Sequence, residues 1–377
     1  MREVTIIHTA DLHLGMQPEK GLPIGKERAR EVGETLARIV DACNEADADL
    51  LLIAGDLFHR GPLVRELKDV AYLFSRLRRA RVVFIAGNHD YISARSNYPA
   101  FVESRGWRPE DAAEGSRVTM LTGAEPQSVA LNDIGVTVCG MSYPSQNVTD
   151  PVYDALRPEQ FAPEQEGESA EKPFYVLLAH GGDAKDAPLD IRRIAGNGWD
   201  YVALGHIHKP DQPAPGVVFA GSPEPLDRNE TGAHGYWIVR LREDDDGARE
   251  TGAEFVPCSV REYRDLPVEV TAETTDAALR DIVREAIEQS GAQHMYRIFL
   301  EGRRDASYVP DAEALQRIGN VTEVVDRTMP EFDLQALRAE NADNLIGMFI
   351  ESLAAESETD EVARKALGYG LAALLPK

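Results

Sequence analysis

Residues 50–59 read LLLIAGDLFH, a short apolar run that leads directly into a glycine and a polar cluster. Residues 82–90, VVFIAGNHD, repeat the arrangement. Short continuous apolar runs bounded by glycine are typical of strands that are buried on both faces of a sheet. Because open α/β sheets bind ligands at the carboxyl ends of their strands, the polar clusters mark the predicted functional edge.

The same pattern recurs through roughly the first 240 residues. Further apolar runs that end in polar clusters are VTIIHTADLH at 4–13, FYVLLAHGG at 174–182, YVALGHIH at 201–208 and VVFAGSP at 217–223. Apolar residues at helical spacing over 26–44 and 62–77 predict helices between the first three strands. We therefore predict an α/β fold that opens with a β-α-β-α-β unit.

The sequence changes in character after about residue 260. Alternating strand-like and helix-like stretches predict a small α+β domain over 261–330, and helix formers predict a helical segment over 331–377. The main domain is accordingly assigned to 1–260. Within it, the segment 148–172 is rich in Pro, Glu and Gln, and we interpret it as an exposed excursion between core strands.

The chain is acidic, since its 377 residues include 40 Lys and Arg against 64 Asp and Glu, for a formal net charge of −24. This surplus argues against binding of nucleic acid or membrane through a general basic surface. The first residues lack a signal-peptide pattern and no apolar run is long enough to span a bilayer, so a cytoplasmic protein is expected. Its three cysteines are widely spaced, which favours core positions over a disulfide framework or a thiolate zinc site.

One segment departs from the acidic average. Residues 60–81 carry seven cations against two acids. The cations are Arg60, Arg65, Lys68, Arg76, Arg78, Arg79 and Arg81. Two explanations are open: a solvated helix face with cations near its C-terminus, or a track for DNA.

Six of the nine histidines fall in the strand-end clusters. The clusters supply carboxylate, amide and imidazole groups, the ligand types suited to Mn²⁺, Fe²⁺ or Zn²⁺, and their number suffices for two metals that share one carboxylate. The chemistry-bearing groups of these clusters are Asp11, His13, Asp56, Asn88, His89, His180, His206 and His208. The remaining His8, His234 and His294 have no partner cluster, so we expect them in the core or on the surface.

The cluster order D-x-H, G-D-x-x-H, G-N-H-D, H-G-G and G-H-x-H resembles that of the calcineurin-like metallophosphoesterase superfamily. Within it, DLHLG at 11–15, GDLFH at 55–59 and GSPEPLD at 221–227 look most like the SbcD-type nuclease subunit of double-strand-break repair. The protein Ser/Thr phosphatase branch usually carries Asp where His59 stands. This difference favours the nuclease branch.

The resemblance implies a metallophosphoesterase β-sandwich flanked by helices in αββα layers, followed by a small α+β capping domain and C-terminal helices. It implies two divalent metal ions, with Mn²⁺ favoured and Fe²⁺ or Zn²⁺ as alternatives. One ion would be held by Asp11, His13, Asp56 and His208, and the other by Asp56, Asn88, His180 and His206, with Asp56 as the bridge.

Three further residues have catalytic roles by the same resemblance. His89 would protonate the leaving ribose oxygen, as a general acid. Asp90 would orient the imidazole of His89, and His59 would contact the substrate phosphate or the leaving side. A purely structural role for His59, as a helix cap or packing residue, is the alternative.

The implied activity is a Mn²⁺-dependent DNA exonuclease and endonuclease that acts on ends and single strands in double-strand-break repair. The alternatives are a metallophosphodiesterase or phosphatase acting on a non-DNA ester, or a non-catalytic scaffold for an ATPase. The implied partner is an SMC-like ATPase of the SbcC type, docked on the amphipathic segment 333–353, unless that segment folds back on its own core. A homodimer is a further alternative, and no membrane partner is expected.

Overall fold

The structure is a computed structural model that describes residues 1–162, 172–183, 187–357 and 359–375. The chain divides into two compact units, Met1–Glu262 and Tyr263–Lys377. The segments 261–330 and 331–377 thus fall almost entirely within one unit. Their separation into a cap and a helical segment stays a prediction.

Two six-stranded sheets form the frame of the first unit, with strand orders β12-β11-β1-β2-β3-β4 and β5-β6-β7-β8-β10-β9. The pairs in β1-β2-β3-β4 and in β6-β7-β8-β10 are parallel, and the other pairs are antiparallel. The strands are β1 (Arg2–Thr9), β2 (Leu50–Ala54), β3 (Arg81–Ile85), β4 (Val118–Met120), β5 (Gln127–Leu131), β6 (Val136–Gly140), β7 (Phe174–His180), β8 (Tyr201–Gly205), β9 (Asp211–Ala214), β10 (Val217–Phe219), β11 (Gly235–Glu243) and β12 (Arg249–Pro257).

Helices lie on the outer faces of this sandwich: α1 (Gly25–Glu45), α2 (Val64–Ser75), α3 (Tyr98–Arg105) and α4 (Ile191–Ala195). The first three pack on the first sheet through residues such as Val40 and Phe74. A second core, which includes Ile6 and Val176, lies between the sheets. Ile194 of α4 packs on the outer face of the second sheet. The predicted fold class, an α/β architecture of two sheets flanked by helices, is confirmed.

Each of the six apolar runs predicted as strands lies in a strand of the structure. Two features differ from expectation. Residues 118–140 form β4, β5 and β6, which are short and partly polar and were not predicted. The segment 148–172 is not simply exposed, because Tyr153 and Leu156 are buried against the second sheet. Residues 163–171 of that segment lie outside the described residues.

The second unit begins with a small sheet of strand order β13-β14-β15, in which β16 also pairs with β14. Its elements are β13 (Tyr263–Val270), α5 (Asp276–Ser290), β14 (Met295–Asp305), α6 (Ala312–Gln316), β15 (Val321–Asp326), β16 (Met329–Glu331), α7 (Leu334–Glu340), α8 (Leu345–Ser357) and α9 (Glu361–Leu374). Val283 of α5 is buried in the core that this sheet forms. A separate core joins α8 and α9 through Ile350 and Leu367. In the described ranges, no helix has the length and apolarity that a bilayer crossing requires.

Most of the basic segment 60–81 is neutralised by neighbouring acids. Four of its arginines form ion pairs, Arg60 with Glu66, Arg76 with Asp41, Arg79 with Asp47 and Asp49, and Arg81 with Asp133. The segment therefore offers far less free positive charge than its composition suggests, which favours the solvated-face explanation.

A buried ion network ties α1 to the loop after β10. Arg28 is fully buried and donates hydrogen bonds to Glu31 (2.5 Å), to Glu224 (3.1 Å) and to the Pro225 carbonyl (2.7 Å). Glu31 also accepts a hydrogen bond of 2.8 Å from Arg261. The GSPEPLD segment is thus anchored to the helix by charge, because its glutamate is one of the buried partners.

Replacing Arg28 with alanine is expected to lower the free energy of unfolding by about 3–5 kcal/mol, because buried carboxylates lose their partner. Chemical denaturation measures the change. Arg30→Ala is the matched control, since Arg30 lies on the same helix and pairs with Glu34 in solvent. An equal effect of the two substitutions would show that the buried network stabilises the fold no more than an exposed ion pair does.

Candidate metal centre

The polar clusters meet at one edge of the sandwich, where β1, β2, β3, β7 and β8 end. In the described ranges, six non-glycine residues have a positive φ, and four of them are predicted metal ligands. These are Asp11 (52°), His13 (46°), Asp56 (49°) and His206 (89°). Such backbone conformations carry an energetic cost and concentrate at functional sites. The local backbone is therefore shaped to direct these side chains.

The first group of candidate ligands is Asp11, His13 and His208, whose ligand atoms all lie within 4.8 Å of one another. The Nε2 atoms of His13 and His208 face each other at 3.1 Å. Asp11 and His13 are almost fully buried. Two imidazole nitrogens and a carboxylate that converge in this way form a donor set suited to a divalent ion.

The second group is formed by Asn88, His180 and His206. The Asn88 Oδ1 atom lies 2.9 Å from His180 Nε2 and 3.2 Å from His206 Nδ1. Asp56 lies between the two groups, because its Oδ2 atom is 3.6 Å from His13 Nε2 and 3.6 Å from His180 Nε2. The structure thus brings together all seven residues that the sequence nominated as metal ligands.

Burial and neighbouring charges shift the pKa values of several candidate ligands. Burial lowers the pKa of His13 well below its usual value, and neighbouring histidines add to the shift. Burial likewise lowers the pKa of His180 to about 4, although Asp56 opposes it. Both imidazoles are therefore neutral, as metal ligands must be. Burial raises the pKa of Asp11 to about 8, opposed by His208 and reinforced by Asp56, so the Asp11 carboxylate would gain from a nearby cation.

Each candidate imidazole ligand has a partner for its other ring nitrogen. His180 Nδ1 lies 2.8 Å from the Ala54 carbonyl, and His13 Nδ1 lies 3.4 Å from His59 Nδ1. His206 Nε2 contacts Asp183 at 2.6 Å, and His208 Nδ1 contacts Glu230 at 2.7 Å. Such outer hydrogen bonds fix the tautomer and the orientation of a metal-bound histidine.

His59 and His89 lie beside the ligands as a stacked pair, with ring centroids 5.2 Å apart. Both are half-buried, and the backbone N–H of His89 donates to Asp56 Oδ1 at 2.9 Å. The backbone of His89 is therefore bonded to the Asp56 carboxylate, and its ring lies against the ring of His13, with centroids 4.6 Å apart. His59, through its contact with His13, has an orienting position as well as an exposed edge.

Asp90 has different partners from those expected. Its carboxylate accepts hydrogen bonds from the N–H groups of Gly87 (2.9 Å) and Phe58 (3.1 Å) and from the Tyr98 hydroxyl (2.7 Å). The His89 Nδ1 atom instead faces the His59 carbonyl at 3.3 Å. Because residues 87–90 turn tightly, Asp90 points back into the core, where it holds the loops after β2 and β3 together.

The family model for calcineurin-like phosphoesterases matches residues 4–210, which include every candidate ligand. The chain belongs to the calcineurin-like phosphoesterase family. Membership supports a phosphoester hydrolase that uses divalent metals, in agreement with the His and Asp groups at the strand ends.

Several known proteins are similar to this chain. An uncharacterized metallophosphoesterase, YhaO of Bacillus subtilis, is 27% identical over 327 residues, 80% of this chain and 72% of YhaO. The DNA double-strand break repair protein Mre11 of Methanopyrus kandleri is 27% identical over 363 residues, 88% of this chain and 74% of that protein. Among solved structures, the calcineurin-like phosphoesterase YfkN of Bacillus subtilis matches with a TM-score of 0.41 and 15% identity, over 77% of this chain and 98% of that one.

Sequence analysis of this phosphoesterase missed Asp183 and Glu230, the acids behind His206 and His208. Neither lies in a spacing that marks a ligand pair. The only available signal was position, because Asp183 directly follows the H-G-G cluster and Glu230 lies shortly after GSPEPLD. Acids of this kind are found only when the fold shows which nitrogen needs a partner.

Gly87 is required by close approach in this centre. A Cβ atom at Gly87 would lie 2.3 Å from Asp56 Oδ1 and 2.7 Å from the His180 ring. Gly87→Ala is therefore expected to displace Asp56 or His180, to weaken metal binding and to cost about 1–3 kcal/mol of stability. Metal content and thermal unfolding measure both effects. Gly33→Ala on α1, where nothing lies within 4 Å, is the control and should bind metal normally.

Proposed function

We propose that this phosphoesterase is a two-metal nuclease that hydrolyses DNA phosphodiesters at ends and in single strands during double-strand-break repair. The observation that carries the proposal is the position of the Asp56 carboxylate, with one oxygen 3.6 Å from a ligand nitrogen of each group. A shared carboxylate between two imidazole-rich groups is the arrangement that two-metal hydrolysis requires. The relatives named Mre11 support DNA as the substrate.

Two ions would be held by the groups described above. Asp11, His13, Asp56 and His208 would hold one, and Asp56, Asn88, His180 and His206 the other. When bound, two divalent ions would neutralise the scissile phosphate and lower the pKa of the attacking water. The mixture of carboxylate, amide and neutral imidazole ligands suits Mn²⁺, with Fe²⁺ or Zn²⁺ as alternatives.

The remaining groups of the centre would handle the substrate. His89 would donate a proton to the ribose oxygen as its bond to phosphorus breaks, which contributes about 10²–10⁴-fold in typical enzymes. His59, stacked on His89, would contact the phosphate or the leaving side. Asp90 would act indirectly, because it fixes the loop from which His89 projects.

An acidic protein is able to carry out this reaction if the local charge differs from the overall charge. Asp11 and Asp56 contribute two negative charges to the ligand set, and Asp183 and Glu230 contribute two more directly behind it, so the four positive charges of two divalent ions would cancel the local negative charge. Outside the centre, the largely neutralised segment 60–81 offers little positive charge for binding DNA phosphates. We therefore propose weak, salt-sensitive DNA binding by the isolated subunit.

An SMC-like ATPase of the SbcC type is the proposed partner. Leu345 and Met348 on α8, and Val362 and Tyr369 on α9, are about two-thirds or more exposed. Phe349 and Leu353 of α8 pack instead within the helical core. The exposed residues are thus the ones that support docking on a coiled coil.

Steady-state kinetics on three substrates tests the proposed activity. With Mn²⁺ present, we expect cleavage of single-stranded DNA and of bis(4-nitrophenyl) phosphate, a diester, with much slower cleavage of 4-nitrophenyl phosphate, a monoester. A preference for the monoester would make the protein a phosphatase. No hydrolysis of any substrate by the metal-loaded protein would favour the scaffold alternative.

A further inference from the structure

We propose that Glu230 is a positioning residue for the metal site that contains His208, that Ser222 bonds its carboxylate, and that His234 holds Ser222 and the Glu230 backbone in place. The inference rests on the proposed two-metal function, but it concerns metal affinity and not the choice of ester. It adds an acidic residue and a buried histidine that no metal-ligand motif contains.

The two ring nitrogens of His208 have different surroundings. Its Nε2 atom lies 3.1 Å from His13 Nε2 and points into the ligand cluster. Its Nδ1 atom points away and lies 2.7 Å from Glu230 Oε1. A histidine binds a metal through an unprotonated nitrogen, so the other nitrogen must carry the proton. A carboxylate at that second nitrogen favours this tautomer and makes the inward nitrogen a stronger ligand.

Hydrogen bonds from its own loop fix the Glu230 carboxylate. Its Oε2 atom accepts a hydrogen bond of 2.8 Å from the Leu226 N–H and one of 3.4 Å from the Ser222 hydroxyl. Ser222 is fully buried, and its own N–H donates to the His208 carbonyl at 2.9 Å. The loop that carries Glu230 is therefore bonded to His208 both through a side chain and through the backbone.

His234 completes the support. It is 2% exposed, and its Nδ1 atom lies 3.0 Å from the Ser222 hydroxyl while Nε2 lies 3.2 Å from the Glu230 carbonyl. Sequence analysis grouped His234 with the histidines that lack partners. In the structure, however, the His234 ring bridges Ser222 and Glu230, the two residues beside the contact with His208.

The effect of Glu230 should be confined to one site. In the group of Asp11, His13, Asp56 and His208, the other imidazole has the neutral His59 ring as its outer partner. Glu230 is the charged outer partner of this group in the described part of the chain. Loss of the Glu230 charge should therefore lower the affinity for the metal ion at His208. The affinity for the ion at Asn88, His180 and His206 should stay nearly unchanged.

Calorimetric titration of the metal-free 377-residue chain with Mn²⁺ tests the proposal. Glu230→Gln keeps the size of the side chain and an acceptor oxygen but removes the charge. We expect the affinity for one ion to fall by roughly 10–100-fold while the second ion binds as in wild type. Asp227→Asn is the matched control, since Asp227 is an exposed acid on the same loop, and it should bind both ions normally.

Thermal unfolding separates positioning from a structural role. The metal-free Glu230→Gln variant should unfold near the wild-type temperature, and only the stabilisation by Mn²⁺ should shrink. Wild-type affinity for both ions, or equal weakening of both with a lower metal-free midpoint, would overturn the positioning role. A wild type that binds two ions but leaves DNA intact would refute the nuclease while leaving the Glu230 result valid. A wild type that binds no ion would contradict both.

Discussion

Replacing Asp56 with asparagine is expected to weaken the binding of both metal ions and to slow hydrolysis by roughly a hundredfold to a thousandfold. This is the scale on which single electrostatic groups act in active sites. The reason is geometric, since Asp56 Oδ2 lies 3.6 Å from the nearest ligand nitrogen of both His13 and His180. An asparagine at this position keeps the shape but removes the charge that two cations would share. Metal analysis after gel filtration, together with the hydrolysis rate, measures the effect.

Asp47→Asn is a closely matched control for this substitution. Asp47 and Asp56 have nearly the same positive φ, 48° and 49°, which asparagine also tolerates. Asp47, however, is exposed and pairs only with Arg79 in the described structure. The Asp47→Asn variant should therefore retain both metal ions and full activity. An unchanged metal count in Asp56→Asn would refute the shared carboxylate.

Replacing His89 with asparagine should separate catalysis from metal binding. The imidazole of His89 belongs to neither of the two proposed ligand groups. Its backbone N–H, which donates to Asp56 Oδ1, is retained in the variant. We therefore expect near-normal metal content and a loss of turnover on DNA of about 10²–10⁴-fold, the usual contribution of a general acid.

The leaving group provides the decisive comparison for His89. A 4-nitrophenolate departs without a proton, so the variant should lose much less activity on bis(4-nitrophenyl) phosphate than on DNA. Equal losses on both substrates would exclude proton donation by His89, and loss of metal would make it part of the metal site. His294→Asn, in the second unit, is the control and should resemble wild type on both substrates.

The ligand cluster could be predicted because sequence order alone placed polar residues after buried strands. LLLIA at 50–54 forms a strand with those bounds, so Asp56 emerges at the sheet edge where GNHD and GHIH also emerge. Parallel strands bring their carboxyl ends together, and the side chains that follow them therefore meet. No knowledge of loop conformation was needed for that step.

The outer hydrogen bonds could not be predicted in the same way. Asp90 follows His89 directly, yet it turns away to bond Gly87 and Tyr98, because a tight turn decides its direction. Glu230 reaches His208 from a loop whose path depends on buried contacts of Ser222 and His234. The charge of residues 60–81 was misleading for a similar reason, since acids from elsewhere in the chain neutralise much of it.

The acidic composition keeps its meaning as a statement about the whole surface. A chain with a net charge of −24 does not bind DNA through general attraction. The geometry of the centre limits that conclusion, because Asp11 and Asp56 are the only acids in the proposed ligand set. Under the proposed function, DNA binding should then depend on bound metal and on the proposed ATPase partner.

The central claim is tested most directly by Mn²⁺ titration of the metal-free protein on end-labelled duplex and single-stranded DNA, with a chelator control and Asp56→Asn in parallel. The account predicts shortening of both DNAs that rises with Mn²⁺, stops with chelator and is nearly absent in the variant. Intact DNA at saturating Mn²⁺, under conditions in which the same preparation hydrolyses a phosphomonoester, would contradict it.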